Sequence, residues 1–324
     1  MFKIKDIKKP IEKEMSLFED KFKSSLKTSV PLLDKIMHYI IKRKGKQMRP
    51  MFVFLSAKLF GNINESSYSA ASLIELLHTA TLVHDDVIDE SNFRRGFFSI
   101  NALWKNKISV LVGDFLLSRG LLLAVEKNEF SLLKIMSTAV KDMSEGELMQ
   151  IEKTRKLNIT EDEYFEIIKK KTATLISACC ESGASSSNTS DENIKTMSDF
   201  GEKVGIAFQI KDDLFDYTQS TLIGKPTGLD IREKKMTLPL IYTLNKVSKN
   251  DKKFIINTIK NDSKNPKKVE QIIMLVKKNK GLEFAESKMN YYFNQSINLL
   301  ENFENNEAKQ SLTQLVEYVI KRKK

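Results

Sequence analysis

Six aspartates carry the strongest chemical signal in this 324-residue chain. Asp85, Asp86 and Asp89 lie in HDDVIDE, and Asp212, Asp213 and Asp216 lie in KDDLFDY. Both segments read D-D-x-x-D. On a helix, residues i and i+4 share a face about 6 Å apart along the axis, so Asp85 stands above Asp89 and Asp212 above Asp216. Like charges at this spacing cost about 0.2–0.5 kcal/mol even on an exposed helix. In apolar surroundings the cost rises unless something compensates. No Lys or Arg lies three or four residues from any of the six. Lys211 is adjacent to Asp212, but neighbours on a helix do not face each other. A cation from elsewhere is required. Clusters of oxygen donors suit Mg²⁺, which keeps waters and is completed by substrate phosphates. Two such helices facing each other would hold several Mg²⁺ ions against a diphosphate and neutralise it as it leaves.

Long helices must position these clusters. The six prolines stand at 10, 31, 50, 226, 239 and 266. None interrupts the span between Pro50 and Pro226, which is rich in Leu, Ala, Glu, Lys and Met and sparse in Gly. Residues 67–90 are apolar nearly all round and read as a helix buried inside a bundle. Residues 161–178 carry apolar residues at helical spacing. Strand signals are weak, no repeat of fixed period occurs and no Gly/Ser- or Pro-rich linker divides the chain. The expected fold is all-α, one domain over 1–324, with loops at 93–99 and 218–235.

Composition narrows the partners. The formal charge is +11, unevenly placed. Residues 1–50 hold 14 Lys/Arg against 6 Asp/Glu, residues 251–324 hold 15 against 9, and the middle holds 24 against 27. A basic chain with an acidic centre is not patterned as a nucleic-acid binder. The two cysteines, Cys179 and Cys180, are adjacent and cannot readily bridge, which fits a reducing compartment. The N-terminus lacks an apolar core of signal-peptide length. Residues 110–125 are apolar but broken by Asp114 and Arg119. The expectation is a soluble, cytoplasmic protein without spanning segments.

The chain resembles the trans-isoprenyl diphosphate synthases, or polyprenyl synthetases. The motifs that carry the resemblance are GKQMRP (45–50), ELLHTATLVHDDVIDESNFRRG (75–96), VLVGDFLLSRG (110–120) and SEGELMQ (144–150). They continue with KTATLI (171–176), FQIKDDLFDY (208–217), GKPTGLDIREKKMTLPL (224–240) and YVIKRKK (318–324). The segment around HTATLVHDDVIDES is most similar to the long-chain, octaprenyl-type enzymes. The resemblance implies a bundle of long helices around a central substrate cavity, and Mg²⁺-dependent condensation of isopentenyl diphosphate onto an allylic diphosphate of farnesyl or geranylgeranyl type. It implies Asp85, Asp89, Asp212 and Asp216 as ligands, with Asp86 and Asp213 in support, of about three Mg²⁺ ions when substrate is bound. It implies Lys46, Arg49, His78 and Arg95 on the diphosphate of isopentenyl diphosphate. Arg94, Lys171, Lys225 and Lys235 would hold the allylic diphosphate, with Thr172 and Gln209 orienting that end. Asp85, Asp86, Asp89, Arg94, Lys171, Asp212 and Lys225 form the implied catalytic set. It also implies a homodimer.

Register supports part of this independently. His78 lies seven residues before Asp85, two turns along one face, whereas His84 lies off that face and reads as structural. Of the run Lys169, Lys170 and Lys171, only the last matches the motif. The basic terminus (321–324) reads as a frayed tail, a lid over the diphosphate site, or a contact with the anionic membrane that receives the product. Two departures stand out. FFSIN follows RRG where the family commonly has a proline, and Lys234 stands where the family usually has glycine.

A growing tail needs an apolar tunnel. Family members with bulky aromatics four and five residues before the first aspartate make short products. Here those positions are Thr81 and Ala80, both small, with Leu77 and Ile74 continuing below. The expected product is therefore a long-chain all-trans prenyl diphosphate. The alternatives are a shorter, geranylgeranyl-type synthase and a non-catalytic subunit of a heteromeric synthase; such subunits tend to lose acidic motifs that are intact here. A terpene cyclase is disfavoured by the second D-D-x-x-D and by GKQMR.

Overall fold

The computed structural model describes residues 3–43, 45–94, 96–218 and 227–321. The fold is all-α. The N-terminal helices are α1 (Ile4–Lys8), α2 (Glu12–Ser25), α3 (Pro31–Lys42) and α4 (Met48–Phe60). Then come α5 (Glu65–Ile88), α6 (Ile100–Glu126), α7 (Phe130–Lys156) and α8 (Glu161–Ile168). A π-helical segment (Lys169–Ala173) joins α8 to α9 (Thr174–Ser185), followed by α10 (Asp191–Asp216), α11 (Leu229–Arg232) and α12 (Leu238–Leu244). The chain closes with α13 (Lys249–Asn261), α14 (Pro266–Lys278), α15 (Gly281–Glu301) and α16 (Glu307–Lys321). The only β structure among the described residues is a ribbon of two-residue strands, β1 (Phe93–Arg94) and β2 (Phe97–Phe98). It occupies the expected 93–99 loop, directly after the first aspartate cluster.

Local chemistry sets the helix starts. Asn64 caps α5 through Ser67 in a reciprocal capping box, and Thr160 does the same for α8 through Glu163. Ser99 and Ser190 cap α6 and α10. Pro31, Pro239 and Pro266 sit in the first turns of α3, α12 and α14, where their missing N–H costs nothing.

Two aspartate-bearing helices form the inner scaffold. α5 packs most extensively on α6, and α10 lies between α9 and α15, with α4 against α9. The main apolar core joins residues of these helices, including Phe54, Leu73, Ile74, Phe200 and Ile210, all almost fully buried. A second cluster lies where α3, α5 and α6 meet, around Ile36, Leu76, Val83 and Leu116.

Residues 161–178 do not run as one helix. The π-helical turn interrupts the regular spacing, a feature frequent at functional sites. Glycines let this segment approach its neighbours. A Cβ at Gly205 of α10 would lie 2.4 Å from the Ala173 Cα, and one at Gly146 of α7 would lie 2.8 Å from the Lys171 backbone N.

Helix α6 is long and apolar enough to cross a bilayer by length and composition. Two of its charged side chains, Asp114 and Arg119, are nevertheless tied to neighbouring helices. Arg119 donates from Nε to the Ser25 carbonyl at 2.9 Å, and Asp114 lies 3.4 Å from Nε2 of His84. The ring of His84 lies against Gly113 of α6, where a Cβ would come within 2.1 Å of Nε2. This is the structural role expected for that histidine.

Candidate active site

The three aspartates at the end of α5 do three different things. Asp85 is half-buried, and burial together with the nearby Glu147 carboxylate pushes its pKa up to about 6. Asp86 turns away from that face and is 2% exposed. The Arg94 guanidinium meets its Oδ1 from both Nε (2.8 Å) and Nη2 (2.7 Å). The cation missing from the turns on either side of Asp86 is thus supplied by the ribbon, eight residues on. Asn101 secures the same turn by donating to the Asp86 carbonyl at 3.3 Å. Asp89 is exposed and terminates α5, its N–H bonded to the Asp85 carbonyl at 2.8 Å.

The second cluster divides as well. Asp213 is buried. Its Oδ2 accepts from the Tyr164 hydroxyl at 2.6 Å and its Oδ1 from Nε2 of Gln209 at 2.9 Å. Burial, and then the charge of Asp230, push its pKa up to about 8. Asp216 accepts from the backbone N–H groups of Leu229 (2.8 Å) and Asp230 (3.1 Å), one on each oxygen. It therefore organises the start of α11 after Gly228, whose φ of +73° is glycine territory. Asp212 remains half-buried on the same helix.

Two cavities adjoin these clusters. The first is lined by His78, Glu75, Gln47, Asp86, Arg94 and Phe97. Arg94, expected with Lys171 and Lys235 on the allylic diphosphate, lines this cavity with His78, while its charge and that of Lys171 are both felt at Asp85. The second is lined by Lys171, Thr172, Gln209, Asp213, Asp230 and Lys235. The π-helical segment presents two of these. Lys171 pairs with Glu147 and donates to Oε1 of Gln150 at 2.6 Å. Thr172 donates to Oε1 of Gln209 at 2.8 Å. Lys235 pairs with Glu233 at 2.7 Å and feels the charges of both Asp89 and Asp230. That shared influence ties the end of α5 to α11 and the turn that follows it. Burial and Asp216 push the pKa of Asp230 up to about 7.

The remaining expected residues are dispersed around this centre. Lys46 donates to the Tyr318 hydroxyl of α16 at 2.8 Å and lies over its ring. The C-terminal helix is thereby brought beside the GKQMRP turn. Arg49 is half-buried on α4, near enough to Cys179 for its charge to be felt there. Arg95 and Lys225 lie outside the described residues, as do residues 322–324 of the basic terminus. Leu77 and Ala80 are 3% exposed, and the half-buried Thr81 returns its hydroxyl to the His78 carbonyl at 2.9 Å. Four residues not singled out from sequence belong to the site: Glu147, Gln150, Tyr164 and Asp230. Three of them fall within the quoted SEGELMQ and GKPTGLDIREKK segments. Tyr164 carried no signal beyond its place on a helical stretch.

The donor set fits Mg²⁺. Among the described residues no three Asp, Glu, His or Cys side chains form a ready-made cage. Mg²⁺ differs from cage-bound metals in relying on one or two carboxylates plus waters and substrate phosphates. Burial first, and then the Glu147 carboxylate, disfavour the charged form of Asp85, and a cation bound there would favour it.

The sequence profile of the polyprenyl synthetase family matches residues 30–276. An octaprenyl diphosphate synthase of Haemophilus influenzae is 30% identical over 97% of this chain and 96% of its own length. A geranylgeranyl diphosphate synthase of Sulfolobus acidocaldarius is 32% identical over 94% of this chain and 95% of its own. A crystal structure of a polyprenyl synthase from Caulobacter crescentus, complexed with calcium and isoprenyl diphosphate, superposes with a TM-score of 0.91 at 30% identity. That match covers 99% of this chain and 98% of the other.

Proposed function

The chain belongs to the polyprenyl synthetase family and is a prenyltransferase, and we propose that it condenses isopentenyl diphosphate repeatedly onto an allylic diphosphate to give a long-chain all-trans product. The observation that carries this reading is the second cavity, where Lys171, Thr172, Gln209 and Lys235 converge beside the aspartates of α10. Lys171, Lys235 and Lys225 hold the allylic diphosphate, and Arg94 acts from the first cavity. Lys46, Arg49, His78 and Arg95 hold the diphosphate of isopentenyl diphosphate. Asp85, Asp89, Asp212 and Asp216 would hold about three Mg²⁺ ions, which would supply charge neutralisation for the departing diphosphate.

The residues of the chain do the rest. The oxygens of Thr172 and Gln209 offer partial negative charge to the allylic cation as the carbon–oxygen bond breaks. The double bond of isopentenyl diphosphate attacks that cation. The departing diphosphate takes the proton from the new bond's neighbour, which leaves a product five carbons longer. Apolar walls exclude water from the cation and hold the tail, each buried methylene contributing about 0.8 kcal/mol. No aspartate acts as a nucleophile; rate comes from positioning and electrostatics. The small residues at 80 and 81 favour a long product over a geranylgeranyl-type one.

The same reading takes 1–324 as one domain that works as a cytoplasmic homodimer. Val110, Leu111, Leu121, Leu122 and Val125 form an exposed apolar stripe on α6, a surface suited to a second copy. The basic C-terminus is suited to peripheral membrane contact during product release. Incubation of the purified chain with isopentenyl and farnesyl diphosphates tests the activity. Elongation should require Mg²⁺ and stop with EDTA, and elongation that persists in EDTA would contradict the proposal.

A further inference from the structure

We infer that Tyr164 is a positioning residue: by holding Asp213, its hydroxyl sets the orientation of the Gln209 amide and of the Thr172 hydroxyl facing the second cavity. The inference rests on the proposed function of that cavity. Four side chains from three elements form one line of hydrogen bonds, Thr172 to Gln209 to Asp213, with Tyr164 closing it from α8. An amide has one accepting end and one donating end. Gln209 turns its Nε2 to Asp213, so its Oε1 must face Thr172. The reversed amide would turn its Oε1 to Asp213 and leave the Thr172 hydroxyl proton without its acceptor. The direction of the whole line is therefore decided at Asp213.

Asp213 is itself a side chain on a rotatable bond. Gln209 lies one turn before it on the same helix and cannot anchor it from outside. Tyr164 can. It is 3% exposed, and its ring packs edge-on against Phe165 at 5.4 Å. Its helix is fixed by the Thr160–Glu163 capping box and by the pairing of Glu163 with Lys153 of α7. The hydroxyl reaches Asp213 across 49 residues of chain at 2.6 Å. A phenol locked by packing is a better reference point than a second flexible side chain, because buried networks orient their members only when every bond is made.

The test is a double-mutant cycle in the full chain, with Mg²⁺, isopentenyl diphosphate and farnesyl diphosphate. Tyr164→Phe removes one oxygen and keeps the ring. It should lower kcat about tenfold, the size expected when an oriented polar group is released, with KM for isopentenyl diphosphate within about twofold. Gln209→Ala should lower kcat as well. Adding Tyr164→Phe to Gln209→Ala should then cost no further activity, because the tyrosine acts through the amide. Additive losses would assign Tyr164 a general structural role and overturn the inference. So would an unchanged kcat in a Tyr164→Phe protein that melts like the wild type. If the wild-type chain makes no product, the reading of the cavity fails and the inference falls with it; an active wild type with an indifferent Tyr164→Phe removes the inference alone.

Discussion

Thr81 and Ala80 are neighbours in sequence but face different surroundings. Thr81 is half-buried near the Asp85 face, whereas Ala80 is packed into the cluster of Leu76, Val83, Ile100 and Leu116 between α5 and α6. Thr81→Phe should shorten the product with little loss of stability. Ala80→Phe should also shorten it, but at about 1–3 kcal/mol of overpacking. Mass spectrometry of the products beside urea unfolding separates the two, and an unchanged product from Thr81→Phe would refute the tunnel placement. The cysteines make a second prediction at this scale. Burial pushes Cys179 up to about 12 and Cys180 well above its ordinary value. Neither is a thiolate at neutral pH, so a disulfide-exchange reagent should label both only after unfolding. An unfolded thiol ionises near pH 9, well before the folded one. The unfolded state therefore loses protons first, and native stability should fall as pH rises from about 9 toward 12. Rapid native labelling would contradict the burial.

Among the elements, the turn after α11 tests the departure noted at Lys234. Its φ is +62°, the left-handed region that glycine adopts freely. Lys234→Gly should therefore stabilise the protein by about 0.5–1 kcal/mol in urea unfolding; loss of stability would mean that the bond from Lys234 Nζ to the Lys260 carbonyl outweighs the backbone strain. This position was legible because one residue type broke a motif. The π-helical segment was not. Its one-residue expansion leaves the apolar spacing of 161–178 nearly intact, and the close approach of its neighbours depends on distant residues, Gly146 and Gly205. The partners of the aspartates were hidden for a related reason. Arg94 reaches Asp86 from the ribbon, and Asp216 caps a helix thirteen residues on. Neither pairing follows helical spacing, so counting charges one turn away could show only that a partner was needed.

Over the whole molecule, the proline-free centre already indicated the all-α fold, and the uneven charge an acidic middle. The assembly of α5, α7, the π-helical segment, α10 and the Lys235 turn around two cavities required the fold. The exposed stripe on α6 makes the molecular prediction. Leu111 is 59% exposed and Leu122 is 47% exposed. Light scattering should find a dimer for the wild type and a monomer for a Leu111→Lys, Leu122→Lys variant; a monomeric wild type would assign the stripe another role. The most direct test of the central claim is the mass spectrum of the product made by the purified chain alone from farnesyl diphosphate, excess isopentenyl diphosphate and Mg²⁺. The expected product is a prenyl diphosphate longer than geranylgeranyl diphosphate. A product that stops at geranylgeranyl diphosphate would contradict the long-chain assignment, and no elongation at all would contradict the activity.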